Sequence, residues 1–204
     1  MSSTDSPALL ANASDLAVLL IDVQPRFLDT MHGAAEPVLA RLEQLLIICE
    51  WFELPVLATL EEPVAEKGPL DNRLARHLPD SAVTFTKQCY GIANEPKIVT
   101  GLEQLGRPRL VVAGSETDVC VLQSVLGLIE LGYEVFLLED CVFSSEPNPG
   151  PAVARMRQAG AVSCTYKMLY YELLRTDDPQ AWSEQQSQAT SRGFVAPESL
   201  PPLA

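Results

Sequence analysis

Residues 110–121 of the chain read LVVAGSETDVCV, an apolar run that passes directly into polar residues. Four apolar residues before Gly114 are typical of a β-strand that is buried on both faces. The pattern from Thr117 onward is helical and stops at Gly132, since glycine commonly ends helices. The stretch therefore predicts a strand followed at once by a helix, with Cys120 in the first turn of that helix.

The same strand and helix pattern recurs along the chain. Short apolar runs predict strands at residues 17–21, 55–59, 82–86, 109–113, 134–138 and 161–165. Helical patterns are found at residues 37–52, 95–105, 117–131 and 151–158. Strands that alternate with helices form parallel sheets. The predicted fold class is α/β: a doubly wound, mainly parallel six-stranded sheet with helices on both faces, a Rossmann-like three-layer sandwich.

The length of 204 residues favours one domain with one core. Residues 15–175 carry the alternating pattern and are predicted to form that domain. Residues 1–14 are predicted to be a flexible N-terminal segment, and residues 176–204 a polar C-terminal extension that is loose or docks on a neighbouring subunit. Residues 60–81 are rich in proline and charge, so they form either a substrate lid or a solvated connection.

The acidic balance of the chain disfavours several classes of partner. The net charge is −13, from 27 acidic and 14 basic residues, which opposes binding to nucleic acids and to anionic lipids. No apolar run approaches the roughly 18 residues of a membrane span. The first basic residue is Arg26, unlike a secretory signal, and the five cysteines form no CxxC pair. We therefore expect a cytoplasmic protein with neither nucleic acid nor membrane as a partner.

Three reactive side chains stand where predicted strands end. Asp22 follows the first strand, Lys87 the third, and Cys120 lies just past the fourth. Doubly wound sheets bind ligands at the carboxyl ends of their strands, so these residues are expected at one edge. A helix N-terminus and a lysine favour a thiolate, and an aspartate could move the thiol proton. Asp22 could instead cap a turn, and Lys87 could be a solvated strand end.

Two stretches and one lysine resemble a known family. Residues 19–24 (LLIDVQ), Lys87 and residues 112–121 (VAGSETDVCV) are similar to the isochorismatase-like superfamily of cysteine hydrolases. The resemblance implies that Asp22, Lys87 and Cys120 form a catalytic triad. It also implies an oxyanion hole made of the backbone N–H groups of Glu116 and Cys120, with a cis peptide bond between Ser115 and Glu116.

The chain departs from the nicotinamidases of that superfamily. Nicotinamidases bind a metal through an aspartate and histidines after the second strand, whereas residues 59–63 read TLEEP. Glu61, Glu62 and His77 could in principle hold a divalent ion, but their spacing and the flanking prolines argue against it. No G-x-G-x-x-G nucleotide motif follows the first strand. We therefore expect no metal and no other cofactor.

Isochorismate hydrolases of the superfamily cleave a vinyl ether and commonly lack the cysteine, so Cys120 indicates cleavage of a C–N bond. The expected function is a cysteine-dependent, amidase-like hydrolase that cleaves an amide or ureido-type bond of a small molecule through a thioester-type intermediate. Two alternatives stay open: an isochorismate-type ether hydrolase, and a non-catalytic binding or scaffold member of the same fold.

Substrate-binding residues are expected close in sequence to the catalytic positions. The candidates are Phe27, Tyr90, Gln123 and Phe143, although ordinary packing could equally explain each one. The helix from Thr117 is apolar on nearly every side, so it is buried inside the fold or under a second subunit. A homo-oligomer is favoured, because members of the superfamily usually self-associate.

Overall fold

A computed structural model describes residues 9–178 and 180–203 of the chain. Its strands are β1 (Leu16–Ile21), β2 (Val56–Glu61), β3 (Val83–Lys87), β4 (Arg109–Ser115), β5 (Glu134–Phe143) and β6 (Val162–Cys164). They form one sheet in the order β3-β2-β1-β4-β5-β6, and all neighbours in it run parallel. The predicted α/β fold is thereby confirmed. Residues 1–8 of the predicted N-terminal segment lie outside the described residues.

Helices connect the strands and cover both faces of the sheet. They are α1 (Pro25–Thr30), α2 (Ala35–Trp51), α3 (Val64–Lys67), α4 (Asn72–Ala75), α5 (Pro96–Leu105), α6 (Leu122–Glu130), α7 (Gly150–Gln158), α8 (Tyr166–Leu174) and α9 (Ser183–Ser191). The helix predicted from Thr117 begins with a π-helical turn, Thr117–Val121, before α6. Among the described elements, no helix combines the length and the apolar content that a membrane crossing needs.

The central strand β1 shows why two helical layers form. All six of its residues are apolar and buried. Side chains of a strand point alternately to opposite faces, so Leu16, Val18 and Leu20 pack in the core that contains α2. Ala17, Leu19 and Ile21 pack in the core that contains α5 and α6. Burial of one such large side chain stabilises the fold by about 1.5–3 kcal/mol.

The connection between β2 and β3 is anchored to the domain. Leu70 and Leu74 are buried and belong to the core on the α2 side. The Asp71 side chain caps α4 by accepting a hydrogen bond from the backbone N–H of Arg73 at 2.9 Å. Leu70 and Leu74 thus anchor the middle of this segment in the core, and its part as a substrate lid stays a prediction.

The polar C-terminal extension lies on α2 of its own chain. The Gln44 side chain donates to the carbonyl oxygen of Gly193 at 3.1 Å and accepts from the backbone N–H of Val195 at 2.9 Å. The ring of Phe194 packs edge-on against Trp51, with centroids 5.2 Å apart. Two hydrogen bonds and an aromatic contact thus hold residues 193–195 on their own chain, and docking of the extension on a neighbouring subunit stays a prediction.

Candidate active site

Strands β1 and β4 are neighbours at the centre of the sheet; β2 and β3 follow on the side of β1, and β5 and β6 on the side of β4. Doubly wound sheets bind ligands at such a switch point. Gly114 lets the two strands come close there, because its φ is +118° and a Cβ would lie 2.0 Å from the carbonyl oxygen of Ile21. The Ser115 hydroxyl then donates to the carbonyl oxygen of Asp22 at 2.8 Å.

Asp22 is fully buried at the end of β1. Its φ of +48° is uncommon for a residue other than glycine and turns the chain out of the strand. The Thr59 hydroxyl donates to Asp22 Oδ1 at 2.8 Å, and Lys87 Nζ lies 2.7 Å from Oδ2. Both carboxylate oxygens therefore have a partner that fixes their position.

Lys87 ends β3 and is 1% exposed. Besides Asp22, its Nζ lies 3.2 Å from Glu61 Oε2 and 3.5 Å from Cys120 Sγ. It also donates to the carbonyl oxygen of Cys89 at 3.2 Å. The structure thus places Asp22 and Cys120, both expected from the sequence, beside the ammonium group of Lys87.

Cys120 lies in the π-helical turn that follows β4, and it is 2% exposed. Its thiol donates to Glu61 Oε2 at 3.0 Å. Glu61 is a site residue that the sequence analysis missed, since it was considered only as a metal ligand together with Glu62 and His77. His77 instead pairs with Glu43 at 3.1 Å.

Burial dominates the acidity of the thiol. Burial raises the pKa of Cys120, the charge of Lys87 lowers it, and the carboxylates of Asp22 and Glu61 raise it, so that the pKa lies above its ordinary value. The expected stabilisation of a thiolate by the helix N-terminus and the lysine is therefore outweighed.

The charged residues of the site respond to burial in different ways. Burial raises the pKa of Asp22, and its contacts with Lys87 and Thr59 only partly offset this. Burial also raises the pKa of Glu61, but hydrogen bonds from Cys120 and Lys67 and the charge of Lys87 outweigh it, so the pKa is lowered. For Lys87, burial lowers the pKa, and the charge and hydrogen bond of Asp22 together with contributions from Cys120 and Glu61 outweigh it, with a net rise. Lys87 and Glu61 are thus held in their charged forms.

The predicted oxyanion hole lies on the same turn. The peptide bond between Ser115 and Glu116 is cis, which confirms what the resemblance implied. The carbonyl oxygen of Glu116 accepts from the backbone N–H groups of Val119 and Val121. The N–H of Cys120 lies in the first turn, where backbone N–H groups lack an intrahelical acceptor. The role of these N–H groups in binding an oxyanion stays a prediction.

The four predicted substrate-binding residues have different surroundings. Phe143 is buried at the end of β5 and lines a cavity of about 320 Å³ together with His32. Phe27 is half-buried against the core, whereas Tyr90 and Gln123 are exposed. Their part in substrate binding stays a prediction.

Metal donors are also present in the cluster. One ligand atom each of Asp22, Glu61 and Cys120 lies within 4.8 Å of the other two. The ammonium of Lys87 contacts all three residues, so a metal ion would have to displace this side chain.

These features define the class: an α/β protein with a buried aspartate, lysine and cysteine at the carboxyl edge of a parallel sheet. Residues 16–167 match the family model of the isochorismatase domain, and the chain belongs to this family. It is an isochorismatase-like hydrolase, as the resemblance indicated.

Relatives with similar sequences span most of the chain. Isochorismatase family protein 1B of Dictyostelium discoideum is 28% identical over 163 residues, which are 78% of this chain and 78% of that protein. The probable hydrolase YcaC of Escherichia coli is 28% identical over 172 residues, 83% of this chain and 82% of that protein.

Solved structures agree with the fold. E. coli YcaC, described as an octameric hydrolase of unknown specificity, superposes with a TM-score of 0.81 at 26% identity and 92% coverage of each chain. YcaC from Pseudomonas aeruginosa, solved with hexane-2,5-diol and covalent acrylamide, has a TM-score of 0.80 at 25% identity, covering 90% of this chain and 91% of that one.

Proposed function

We propose that this chain is a cysteine-dependent hydrolase that cleaves a C–N bond, of the amide or ureido type, in a small molecule. The observation that carries the proposal is the Lys87 ammonium, which lies 2.7 Å from an Asp22 carboxylate oxygen and 3.5 Å from the Cys120 sulfur. A nucleophile, a proton acceptor and a fixed positive charge at one buried point suit covalent catalysis. These three residues would form the catalytic triad.

The first half of the reaction forms a thioester. The Cys120 thiol gives its proton to Asp22, whose raised pKa suits proton uptake, while the sulfur attacks the carbonyl carbon. The carbonyl oxygen becomes an oxyanion, for which we propose the backbone N–H groups of Glu116 and Cys120 as donors. The C–N bond then breaks, the leaving nitrogen takes the proton from Asp22, and ammonia or an amine departs.

The second half restores the enzyme. A water molecule gives a proton to Asp22 and attacks the thioester carbon. The C–S bond breaks, the sulfur takes the proton back, and a carboxylic acid leaves. Throughout, Lys87 offsets the negative charge that moves between sulfur and carboxylate. One amide and one water are consumed, and one acid and one amine are produced.

Neither alternative function requires all three of Asp22, Lys87 and Cys120. An ether hydrolase needs no thiol beside the lysine. A scaffold would gain nothing from burying Asp22, Lys87 and Cys120, since desolvated charges cost free energy. We also propose a homo-oligomer, which fits the octamer of E. coli YcaC, and a cytoplasmic location, where the free thiols of all five cysteines would stay reduced.

A screen for ammonia release tests this function. Small uncharged amides, ureido compounds and nicotinamide are incubated with the protein and with its Cys120→Ala variant. We expect release from at least one compound by the protein and none by the variant. Release that is unchanged in Cys120→Ala, or no release from any compound, would contradict the proposal.

A further inference from the structure

We propose that Glu61 is a positioning residue of this site, which orients the Cys120 side chain and keeps its thiol neutral in the free enzyme. The positive charge of Lys67 weakens this effect of Glu61. The inference rests on the proposed function, because it concerns the nucleophile of that reaction. It is carried by the geometry of the end of β2.

The backbone of Glu61 is fixed by one buried side chain. The amide of Gln24 accepts from the N–H of Glu61 at 2.7 Å and donates to its carbonyl oxygen at 3.2 Å. The same amide donates to the carbonyl oxygen of Gly68 at 2.7 Å. Gln24 therefore ties the end of β2 to the segment that carries Lys67.

The carboxylate of Glu61 is held between two lysines. Lys67 Nζ lies 2.6 Å from Oε1 and also donates to the carbonyl oxygen of Glu62 at 2.6 Å. Lys87 Nζ lies 3.2 Å from Oε2, the oxygen that accepts the thiol of Cys120 at 3.0 Å. The contacts with Lys67 and Lys87 thus fix the orientation of the Glu61 carboxylate toward the Cys120 sulfur.

Asp22 has a different set of partners. One of its oxygens accepts from Thr59, and the other is paired with Lys87. Both carboxylates contact Lys87, and of the two it is Glu61 that accepts the thiol hydrogen bond. In the free enzyme the thiol proton therefore points to Glu61, and it must turn to Asp22 when the reaction begins.

Charge explains how Glu61 holds the thiol neutral. A thiolate at Cys120 would meet the carboxylates of Glu61 and Asp22 and the single ammonium of Lys87. Burial raises the pKa of the thiol, and both carboxylates raise it further against the effect of Lys87. Glu116, on the turn after β4, has a pKa raised mainly by burial, with a small contribution from the charge of Glu61. Lys67 offsets part of the charge of Glu61.

Opposite charge changes at two positions test the inference. Iodoacetamide is uncharged, and below the thiol pKa its rate of reaction follows the thiolate fraction. A charge within about 4–6 Å shifts a pKa by about 1–3 units, so Glu61→Gln should speed alkylation of Cys120 at pH 8 by about tenfold or more. Lys67→Met should slow it severalfold, because Glu61 then acts uncompensated.

Peptide mapping by mass spectrometry measures the rate at Cys120 and, as an internal reference, at Cys89. Glu62→Gln is the matched control: it removes one charge from the neighbouring residue, whose Oε2 accepts from Val64 N–H at 2.9 Å, and should leave the rate unchanged. Equal rates in Glu61→Gln and the unsubstituted protein overturn the inference. A change in the same direction for both charge variants also overturns it, since general loosening would act so.

The readout needs no substrate, which separates this inference from the proposed function. Opposite shifts with no ammonia release from any compound would contradict the function alone. Ammonia release without the shifts would contradict the role of Glu61 alone. If Glu61→Gln does not fold, Lys67→Met, at a more exposed side chain, still decides the question by the sign of its shift.

Discussion

Substitution of Lys87 by methionine should destabilise the fold in a way that depends on pH. The ammonium lies 2.7 Å from Asp22 Oδ2, and neither side chain is exposed to solvent. Removal of one partner of a buried ion pair costs about 3–5 kcal/mol, because the other charge stays buried without compensation. Glu61 keeps its contact with Lys67, so Asp22 is the residue that loses its partner.

The sign of the pH dependence follows from Asp22. Burial already raises its pKa, and loss of Lys87 would raise the pKa further. A group whose pKa is raised on folding supports the fold at low pH, where it is protonated, and this support is lost as pH rises through the folded pKa. We therefore expect a loss of about 3–5 kcal/mol at pH 8 and a much smaller loss near pH 4.5.

Urea unfolding of Lys87→Met at the two pH values measures this difference. Lys97→Met on α5 is the control, since this lysine is exposed and its loss should change the free energy of unfolding by less than about 0.5 kcal/mol. Equal losses for Lys87→Met at both pH values would refute the reasoning. So would a loss at pH 8 no larger than that of the control.

Three further results are expected. In urea unfolding, Gly114→Ala should lower the free energy of unfolding by about 1–3 kcal/mol more than Gly160→Ala. Both glycines have positive φ, but of the two only a Cβ at position 114 meets backbone, 2.0 Å from a carbonyl oxygen. Equal losses of stability would contradict the close approach of β4 to β1. In the proposed mechanism Asp22 must be ionised to accept the thiol proton, and burial raises its pKa, so the kcat/KM for an active amide should fall on the acid side at a pH above the usual aspartate range. A flat profile down to that range would contradict this role. Dialysis against a chelator should leave turnover unchanged, since the Lys87 ammonium already contacts the donor cluster; a loss restored by zinc or iron would overturn the metal-free mechanism.

The sheet and its reactive edge could be predicted because both follow from short-range pattern and topology. Apolar runs such as residues 17–21 and 109–113 mark strands that are buried on both faces. Once the strands are parallel, their carboxyl ends share one edge, which places Asp22 and Lys87 together without further information.

The place of Glu61 in the site could not be predicted, because the end of the second strand was misjudged. The second strand was expected to end at residue 59, because Glu61, Glu62 and Pro63 look like the start of a polar loop. In the structure β2 continues, and Glu61 pairs with Lys87 in register. The end of a strand that carries a charged residue can be predicted only when the neighbouring strand with the opposite charge is known.

The pKa of the Cys120 thiol could not be predicted from the sequence either. The position of Cys120 after β4 indicated a helix N-terminus and a nearby lysine, both of which favour a thiolate. The sequence does not show that Cys120 is 2% exposed, nor that the Glu61 carboxylate accepts a hydrogen bond from its thiol at 3.0 Å. Desolvation and like charge depend on packing between distant segments, and here they reverse the expected direction.

The central claim is that Cys120 forms a thioester with the substrate. Hydroxylamine captures thioesters as hydroxamates, so the most direct measurement is hydroxamate formation during turnover of an amide that the ammonia screen finds active. We expect enzyme-dependent hydroxamate that grows with hydroxylamine concentration at the expense of the acid, and none with Cys120→Ser. Ammonia release that yields only the carboxylic acid at every hydroxylamine concentration, or that persists in Cys120→Ser, would contradict the account.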